Sequence, residues 1–562
     1  MAKVVDPVGT EPPPAVASSW DRASLFARMF FTFVDPMMKM GSKNVLEHND
    51  LEPVPAKEQA RILVDSLQRA WAKQAKTPNP SLWRALYESS RFEFWESGFF
   101  GFAESVTRIT QPLLLGYLLR WLAKPSREVG EGLGWAVGLM LVALVQIIVH
   151  HRLYYLTMMN GAKARIAISG VINRKLLKLN ACSLMQTSSG NLINLVSNDV
   201  QRFDMFYPRF HFSWTAPFDI VVLTILVYLR VGLMPTVYSL LFLFVMLPLL
   251  LGTGKLVGNL RRLTAQWTDQ RMKMTSEVFA GIASVKAYCW EVPFQEKVTS
   301  LRQNERRTIM VAMATRAINH GLSFATPTIC ILIVIIAFWW SGETLTIEIV
   351  FSTMALIHVL TVSIGKNLGI FFDTYFEFKT SVSRMRRFLM MEEFNADFQS
   401  KLFDSNLPEN GADILAVQDA CFKWSKGEPG NALSGINLTA SSTELVLIHG
   451  PTGSGKSALL QALLGELSLV EGQLRIGAKR VAYAAQKSWI LAGTVRSNIV
   501  WGSNERSFDE EWYNRVLDAC SLTTDLEQFP LGDATEIGEK GVNLSGGQKA
   551  RVGLARAVYS RA

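Results

Sequence analysis

The stretch Leu445–Leu460, LVLIHGPTGSGKSALL, decides how the rest of the chain is read. Its apolar start, Leu445 to Ile448, reads as a buried β-strand that breaks at Gly450 into a glycine-rich turn. Lys456-Ser457 then opens an apolar helical pattern. Strand, G-x-x-x-x-G-K-S, helix is the setting in which this pattern makes a phosphate-binding loop rather than an ordinary turn. The loop residues Gly450, Pro451, Thr452, Gly453, Ser454 and Gly455 would wrap the anion. The three glycines reach backbone conformations closed to residues with a Cβ, so successive N–H groups can converge on it. The helix N-terminus adds its partial positive charge. Lys456 would reach the β- and γ-phosphates, and the Ser457 hydroxyl would ligate Mg²⁺. These residues imply a nucleoside triphosphate site.

The remainder of the chain bounds what that site serves. With 562 residues, several domains are expected. Hydrophobic residues make up 49% and mean hydropathy is +0.18, which directs attention to a membrane portion. The net charge of +9 has no aromatic-interleaved basic patch behind it, which argues against nucleic acid as a partner. The basic residues instead collect in loops between apolar segments, where they orient a membrane protein. The five cysteines, Cys182, Cys289, Cys330, Cys421 and Cys520, have no metal-ligand or redox spacing, so reduced thiols are expected. The start, MAKVVDPVGTEPPPAV, lacks an apolar core for a cleaved signal.

Taken in order, residues 1 to about 20 are Pro-rich and expected to be disordered. The stretch SLFARMFFTFVDPMMKMG, with Arg22 just before it, sets Arg28 and Lys39 beside Phe26, Phe30, Phe31 and Phe33. It suits a membrane interface, or a helix packed on the protein. A helical pattern follows at Glu58–Lys76. Six apolar segments come next, at about Phe92–Leu122, Gly134–Leu156, Phe210–Leu229, Leu233–Leu251, Ala317–Trp340 and Ile347–Phe372. Each reaches the ~20 residues needed to cross a bilayer core. The short connections are nearly neutral. The long ones, 160–209 and 252–316, carry Lys163, Arg165, Arg174, Lys175, Lys178, Arg261, Arg262, Arg271, Lys273, Arg306 and Arg307. Positive loops stay in the cytoplasm, so both chain ends and both long loops are expected there. After a polar linker, ILAVQDACFKW, INLTA and VAYAAQ read as strands, and Phe508–Cys520 as a helix. The last stretch, LSGGQKARVGLARAV, is a glycine turn feeding a basic helix.

LSGGQ at Leu544–Gln548, about 90 residues beyond the phosphate loop and with Gln486 between them, resembles the signature of ATP-binding cassette transporters. GNLINLVSNDVQRF (Gly190–Phe203), EVFAGIASVKAYCWE (Glu277–Glu291) and GTVRSNIVWG (Gly493–Gly502) are similar to the multidrug-resistance-associated, or C, subfamily. The interfacial start resembles its lasso, with no five-helix extension before it, as in short-form members. The resemblance spans roughly residues 20–562. It implies an α-helical membrane domain of six transmembrane helices, exporter type, plus an α/β P-loop nucleotide-binding domain. The expected division is 1–91 tail and lasso, 92–391 membrane domain, 392–411 linker and 412–562 a partial nucleotide-binding domain.

By that resemblance the nucleotide is ATP with Mg²⁺, and Trp424 stacks on adenine. Gln486 touches Mg²⁺ or the attacking water. Ser545, Gly546, Gly547 and Gln548 close over ATP held by the opposing domain of a second transporter half. Short helices within 192–202 and 278–286 rest on the nucleotide-binding domains, and the exposed surface around Trp501 receives one from the other half. Past Arg556 the family continues into the Walker B strand, a catalytic carboxylate and a switch histidine. Their absence before Ala562 leads to the expectation of a truncated chain, inactive as an ATPase alone, and of an ATPase in the full-length protein. Within the membrane segments Glu104 and Arg108, one helical turn apart, are expected to pair internally. A Lys at bilayer centre costs ~2.5–3.5 kcal/mol, so Lys366 should face a cavity or partner. With Arg316 it would suit small amphipathic organic anions. ATP-driven export of such anions is the favoured function. A gated anion channel of the subfamily is the alternative, and a regulatory subunit is third. Plasma membrane and vacuolar or other endomembranes are both open as locations.

Overall fold

The computed structural model describes residues 18–47, 50–125, 128–180, 183–184, 187, 189–394, 413–424, 430–441, 444–477, 481–501, 508–538 and 544–561. The Pro-rich start, Cys182, most of the linker and Gly502 lie outside them. The chain divides into two units, Met1–Leu177 with Ser189–Met391, and Lys178–Ser188 with Glu392–Ala562.

The first unit is helical. Helices α1 (Ser19–Arg22) and α2 (Leu25–Met29) start where Ser18 and Ser24 accept backbone N–H groups, and α3 (Asp35–Gly41) starts with a proline in its first turn. This aromatic stretch splits its two sequence readings. Trp20, Phe31 and Phe33 pack their rings against Tyr155, whereas Phe26 and Phe30 point outward. Then come α4 (Ala60–Ala75), α5 (Leu82–Ser89, capped by Ser81) and the 32-residue α6 (Arg91–Leu122).

Five helical stretches among the described residues are long and apolar enough to cross a membrane: Val129–Leu176, Gly190–Val231, Leu233–Ala280, Glu291–Trp340 and Ile347–Leu389. They hold five of the six apolar segments. The remaining one, Phe92–Leu122, is helical for its full length but too polar for that test, because Glu104, Arg108 and Gln111 interrupt it. We label them α7 (Val129–Leu176), α8 to α10 (Ser189–Asn194, Val200–Phe210, Phe212–Val231), α11 (Leu233–Ala280), α13 (Glu291–Trp340), α14 (Ile347–Thr361) and α15 (Leu368–Leu389). The short α12 (Ile282–Ala287) joins α11 to α13, which lie along each other. Within 278–286, α11 ends at Ala280 and the short α12 begins at Ile282. Residues 192–202 instead run from α8 through a π-turn, Leu195–Asp199, into α9, with no free-standing short helix.

The expected Glu104–Arg108 pair does not form. Arg108 bonds Asp219 of α10, and Glu104 bonds His150 of α7 at 3.0 Å. Each charge is turned to a different neighbouring helix. Asp219 is fully buried and also accepts from the Ser363 hydroxyl at 3.1 Å. Ser363 lies in a second π-turn, Val362–Asn367. The first π-turn holds buried Asp199, which accepts from Ser381 at 2.9 Å and from Arg384. Both wide turns in the helical unit are thus tied to a buried aspartate. Arg120 and Arg230 converge on Glu348 at 2.8 and 2.6 Å.

The second unit has a three-stranded antiparallel sheet of order β2-β1-β3, from β1 (Asp413–Lys423), β2 (Leu433–Ser441) and β3 (Ser468–Ile476). Helix α16 (Lys456–Leu463) packs on it through fully buried Ala462, in a core with Phe422, Val417 and Leu467. A second core gathers β4 (Gly493–Thr494), α17 (Val495–Val500), α18 (Glu510–Ala519), α19 (Thr523–Gln528), β5 (Glu536–Ile537) and α20 (Gly546–Tyr559), around Tyr513, Ile499, Val552 and Ala555. The strands read at ILAVQDACFKW and INLTA and the helix read at Phe508–Cys520 are present.

Two expected strands are absent. Leu445–Ile448 has no sheet partner among the described residues and is open to solvent, with Leu445 96% and Leu447 82% exposed. VAYAAQ is likewise irregular, with Val481 and Tyr483 exposed. An apolar run becomes a strand only when a neighbour completes its backbone hydrogen bonds, and no described strand stands beside either. Among the described cysteines, Cys289, Cys330, Cys421 and Cys520 are free thiols.

Candidate nucleotide site

The turn after Ile448 has the backbone its glycines were expected to supply. Gly450, Gly453 and Gly455 sit at φ of 154°, 88° and 92°, a region that side chains strain. Gly455 is the left-handed N-cap of α16, so the turn delivers its amides to a helix N-terminus. Pro451, Thr452, Gly453 and Ser454 are exposed, and nothing lies within 4 Å of where a Cβ on Gly453 would stand. The Lys456 ammonium donates to the carbonyl oxygens of Gly450 and Pro451, both at 2.8 Å. Loop, helix end and lysine together form an open cationic cradle, and they fit a polyphosphate. Ser457, in the first turn, is exposed beside it. Trp424 is half-buried against the same core as α16, so the structure brings it and the phosphate loop onto one hydrophobic base.

The signature residues are held differently. Ser545 caps α20 by accepting the Gln548 N–H at 3.2 Å, and the Gln548 side chain accepts the Ser545 N–H at 2.9 Å. This reciprocal box fixes Gly546 and Gly547 at the first turn of a 14-residue helix. Beneath it lies Asp525. It accepts from Arg551 through two bonds of 2.7 and 2.9 Å, and from the Gln548 amide at 3.3 Å. The Arg551 bonds hold the Asp525 carboxyl below its usual pKa, against an opposing push from burial.

Arg556 ties α20 to the segment after Gln486, donating to the carbonyls of Trp489 and Asn498 at 2.7 Å and to the Asn498 side chain at 2.9 Å. Burial lowers its pKa from the usual guanidinium value. Asn498 in turn bonds Leu491 and Thr494. Gln486 itself is exposed and makes no hydrogen bond to the described residues. The chain just after it follows α20, where a Cβ on Gly553 would meet the Ser488 hydroxyl at 2.8 Å. Within this unit, Trp424 and Gly450–Ser457 share one core, while Gln486 and Ser545–Gln548 belong to the other side. Among the described residues no hydrogen bond or ion pair joins the two groups. Sequence reading missed Asp525, Asn498 and Arg556 as the residues that hold the signature. Arg551 and Arg556 stand in the basic helix it quoted, but nothing in their spacing points to Asp525 or Asn498.

Two further expected positions can be placed. Ile499 is fully buried and Trp501 is 58% exposed, so the run SNIVWG divides between core and surface. Arg316 and Lys366 are exposed on α13 and in the second π-turn. Neither has an ion pair or hydrogen bond among the described residues, so none links them to each other.

Long, apolar membrane-type helices in one unit, and a phosphate cradle with a capped LSGGQ helix in the other, are the features of the ATP-binding cassette family. Residues 94–364 match the ABC transporter transmembrane region and residues 433–562 the ABC transporter domain, and the chain belongs to this family. It is 34% identical over 569 residues to ATP-binding cassette sub-family C member 4 of Mus musculus, covering 99% of this chain and 42% of that protein. Identity to the Homo sapiens protein of that name is 32%, over 96% of this chain and 41% of the relative. A probable multidrug resistance-associated protein of Drosophila melanogaster, lethal(2)03659, is 31% identical over 96% of this chain and 40% of its own length. The chain thus spans about two fifths of the length of these curated relatives.

Proposed function

We propose that this chain is one half of an exporter that uses ATP to carry small amphipathic organic anions across a lipid bilayer. The observation that carries the reading is the cradle: a turn with three positive-φ glycines, the last of them capping a helix, and the Lys456 ammonium already turned into the loop. Bound ATP with Mg²⁺ supplies the free energy of phosphoryl transfer. Lys456 exchanges two backbone carbonyls for β- and γ-phosphate oxygens, and Ser457 offers its hydroxyl to Mg²⁺. Trp424 presents a ring face to adenine, an interaction worth ~1–3 kcal/mol by analogy with base stacking. Gln486, free of hydrogen bonds to the described residues, orients water or metal. Ser545, Gly546, Gly547 and Gln548 are presented to a nucleotide held by a second transporter half, in the same full-length polypeptide. The basic loops put the N-terminus and the nucleotide-binding unit in the cytoplasm.

Each charge-assisted hydrogen bond from Lys456 to phosphate is worth ~1.5–3 kcal/mol. Removing one such bond with Lys456→Ala in the full-length protein should therefore lower azido-ATP labelling of this half about 10- to 100-fold. Unchanged labelling would refute the assignment. Anion preference rests on Arg316 and Lys366, cations in membrane helices without a protein counter-charge among the described residues. Replacing both by Met should raise the apparent KM for an anionic conjugate in vesicle uptake and spare basal ATPase. Equal loss of anionic and neutral substrates would point to folding instead.

A further inference from the structure

Between α5, the start of α6, α9 and α15 lies a cavity of about 300 Å³ that the transport reading does not use. Its walls are aromatic. Phe206 and Phe378 stack at 4.2 Å, Trp83 meets both edge-on at 5.6 and 4.9 Å, and Phe94 packs on Phe210 at 4.8 Å. Phe206 and Phe378 are almost completely buried, so the floor is fixed, while Arg84 lines the cavity and is exposed. Arg84 has no ion-pair partner among the described residues. The volume lies at the lower end of the range for ligand pockets, ~300–1,000 Å³.

The surroundings say what kind of molecule reaches it. Phe92, Trp95 and Phe99, on the first turns of α6, are each two-thirds exposed or more, and the Trp95 indole donates to the Tyr87 hydroxyl at 3.1 Å. Exposed Trp, Tyr and Phe at the start of a membrane helix form the belt found at bilayer interfaces. Phe94 and Phe210 open the first and third apolar segments, and Phe206 lies one turn outside, so the cavity sits at the boundary between acyl chains and headgroups, with the Arg84 cation in its wall. Apart from Arg84, only Ser90, the tyrosines and the Trp83 indole offer polar atoms, so a ligand without an apolar body leaves the aromatic walls uncovered. A neutral hydrocarbon would leave Arg84 unused.

We infer that this cavity is a binding site for an anionic phospholipid, one acyl chain lying against Phe206 and Phe378 and the phosphate-bearing headgroup at Arg84. An occupied cavity would brace α5 and α6 against α9 and α15, so the lipid would be a structural ligand rather than cargo. The test uses the full-length protein in nanodiscs with phosphatidylserine or phosphatidylcholine carrying a mid-chain diazirine, and crosslinks mapped by mass spectrometry. Phosphatidylserine should label peptides containing Phe206 and Phe378, and excess unlabelled phosphatidylserine should compete this away. Filling the space with Ser90→Phe should abolish that labelling and leave labelling at the outward-facing Phe99 intact. A basic residue near the surface adds ~1 kcal/mol for an anionic lipid, so Arg84→Glu should cut the preference for phosphatidylserine about fivefold or more, and Arg84→Lys should retain it. Competition in the unmodified protein keeps the test open if Ser90→Phe fails to fold. Labelling confined to outward-facing residues, or labelling at Phe206 that excess lipid does not compete, overturns the site. Equal labelling by both lipids overturns the assignment of Arg84 to the headgroup. Because the readout is lipid crosslinking, loss of anion transport alone would count against the proposed function and not against this site.

Discussion

The phosphate loop and the LSGGQ helix are supported in opposite ways here. The signature helix has its supports in place, some local and some distant in sequence. Ser545 and Gln548 cap each other, Asp525 lies 26 residues before Arg551, and Asn498 lies 58 before Arg556. The phosphate loop has its turn and helix in place, but the apolar run feeding it, Leu445–Ile448, has no ladder among the described residues and stands in solvent. A turn and a cap are decided by a few residues and their φ angles. A sheet strand needs partners from elsewhere. The contrast separates turns and caps, decided by a few residues, from a strand that needs a sheet partner.

The widest separation between the two regions should appear in amide exchange of the 562-residue chain. The amides of Leu445–Ile448 should exchange with almost no protection, while those of the buried turns around Val552 and Ala555 should need at least subglobal opening. Comparable protection in both would erase the contrast. Next in size is Ile499→Ala, a fully buried side chain in the signature core. It should cost about 2–5 kcal/mol, read as accelerated exchange through Gly546–Tyr559. Trp501→Ala, two residues on and more than half exposed, should shift the same readout by under ~0.5 kcal/mol. A larger shift would place Trp501 in the core and remove it from any docking surface.

Asp525 gives the pH-dependent arm. Its folded pKa lies below the unfolded value. The stabilisation is therefore present above the ordinary carboxylate range and is lost as pH falls through the folded value. Protection of α20 should decline on acidification over that interval. Asp525→Asn should flatten the decline and loosen the helix start at neutral pH, since bonds to a charged group are worth about 1.5–3 kcal/mol each. An unchanged acid profile in Asp525→Asn would show that other carboxylates carry it. The smallest effect expected is Gln548→Glu, which keeps the cap acceptor but sets a second carboxylate beside Asp525. It should weaken the start of α20 by no more than about 1 kcal/mol, as one hydrogen bond does.

What could be read from the chain follows the same division. The glycine conformations, the glycine turn opening the basic helix and the helical nature of the apolar segments were legible because each depends on residues within one or two turns. Arg108 shows the limit. Its neighbour Glu104 is visible in sequence, but its partner Asp219 is 111 positions away on another helix. The strand reading of LVLI failed for a related reason, since apolar character says what a segment would do with a neighbour and not whether one is there. Asp525 was invisible because a lone aspartate in a polar stretch has no pattern. The two π-turns were equally hidden, because an extra residue in a helical turn leaves no mark on composition.

The bare run at Leu445–Ile448 also governs how the polypeptide behaves at high concentration. Four consecutive apolar residues, without proline or charge and with no sheet partner among the described residues, are a template for intermolecular strand addition. Val481 and Tyr483 offer a second such surface in the same unit. In the second unit, such pairing would convert these segments into intermolecular strands while the signature core stayed folded.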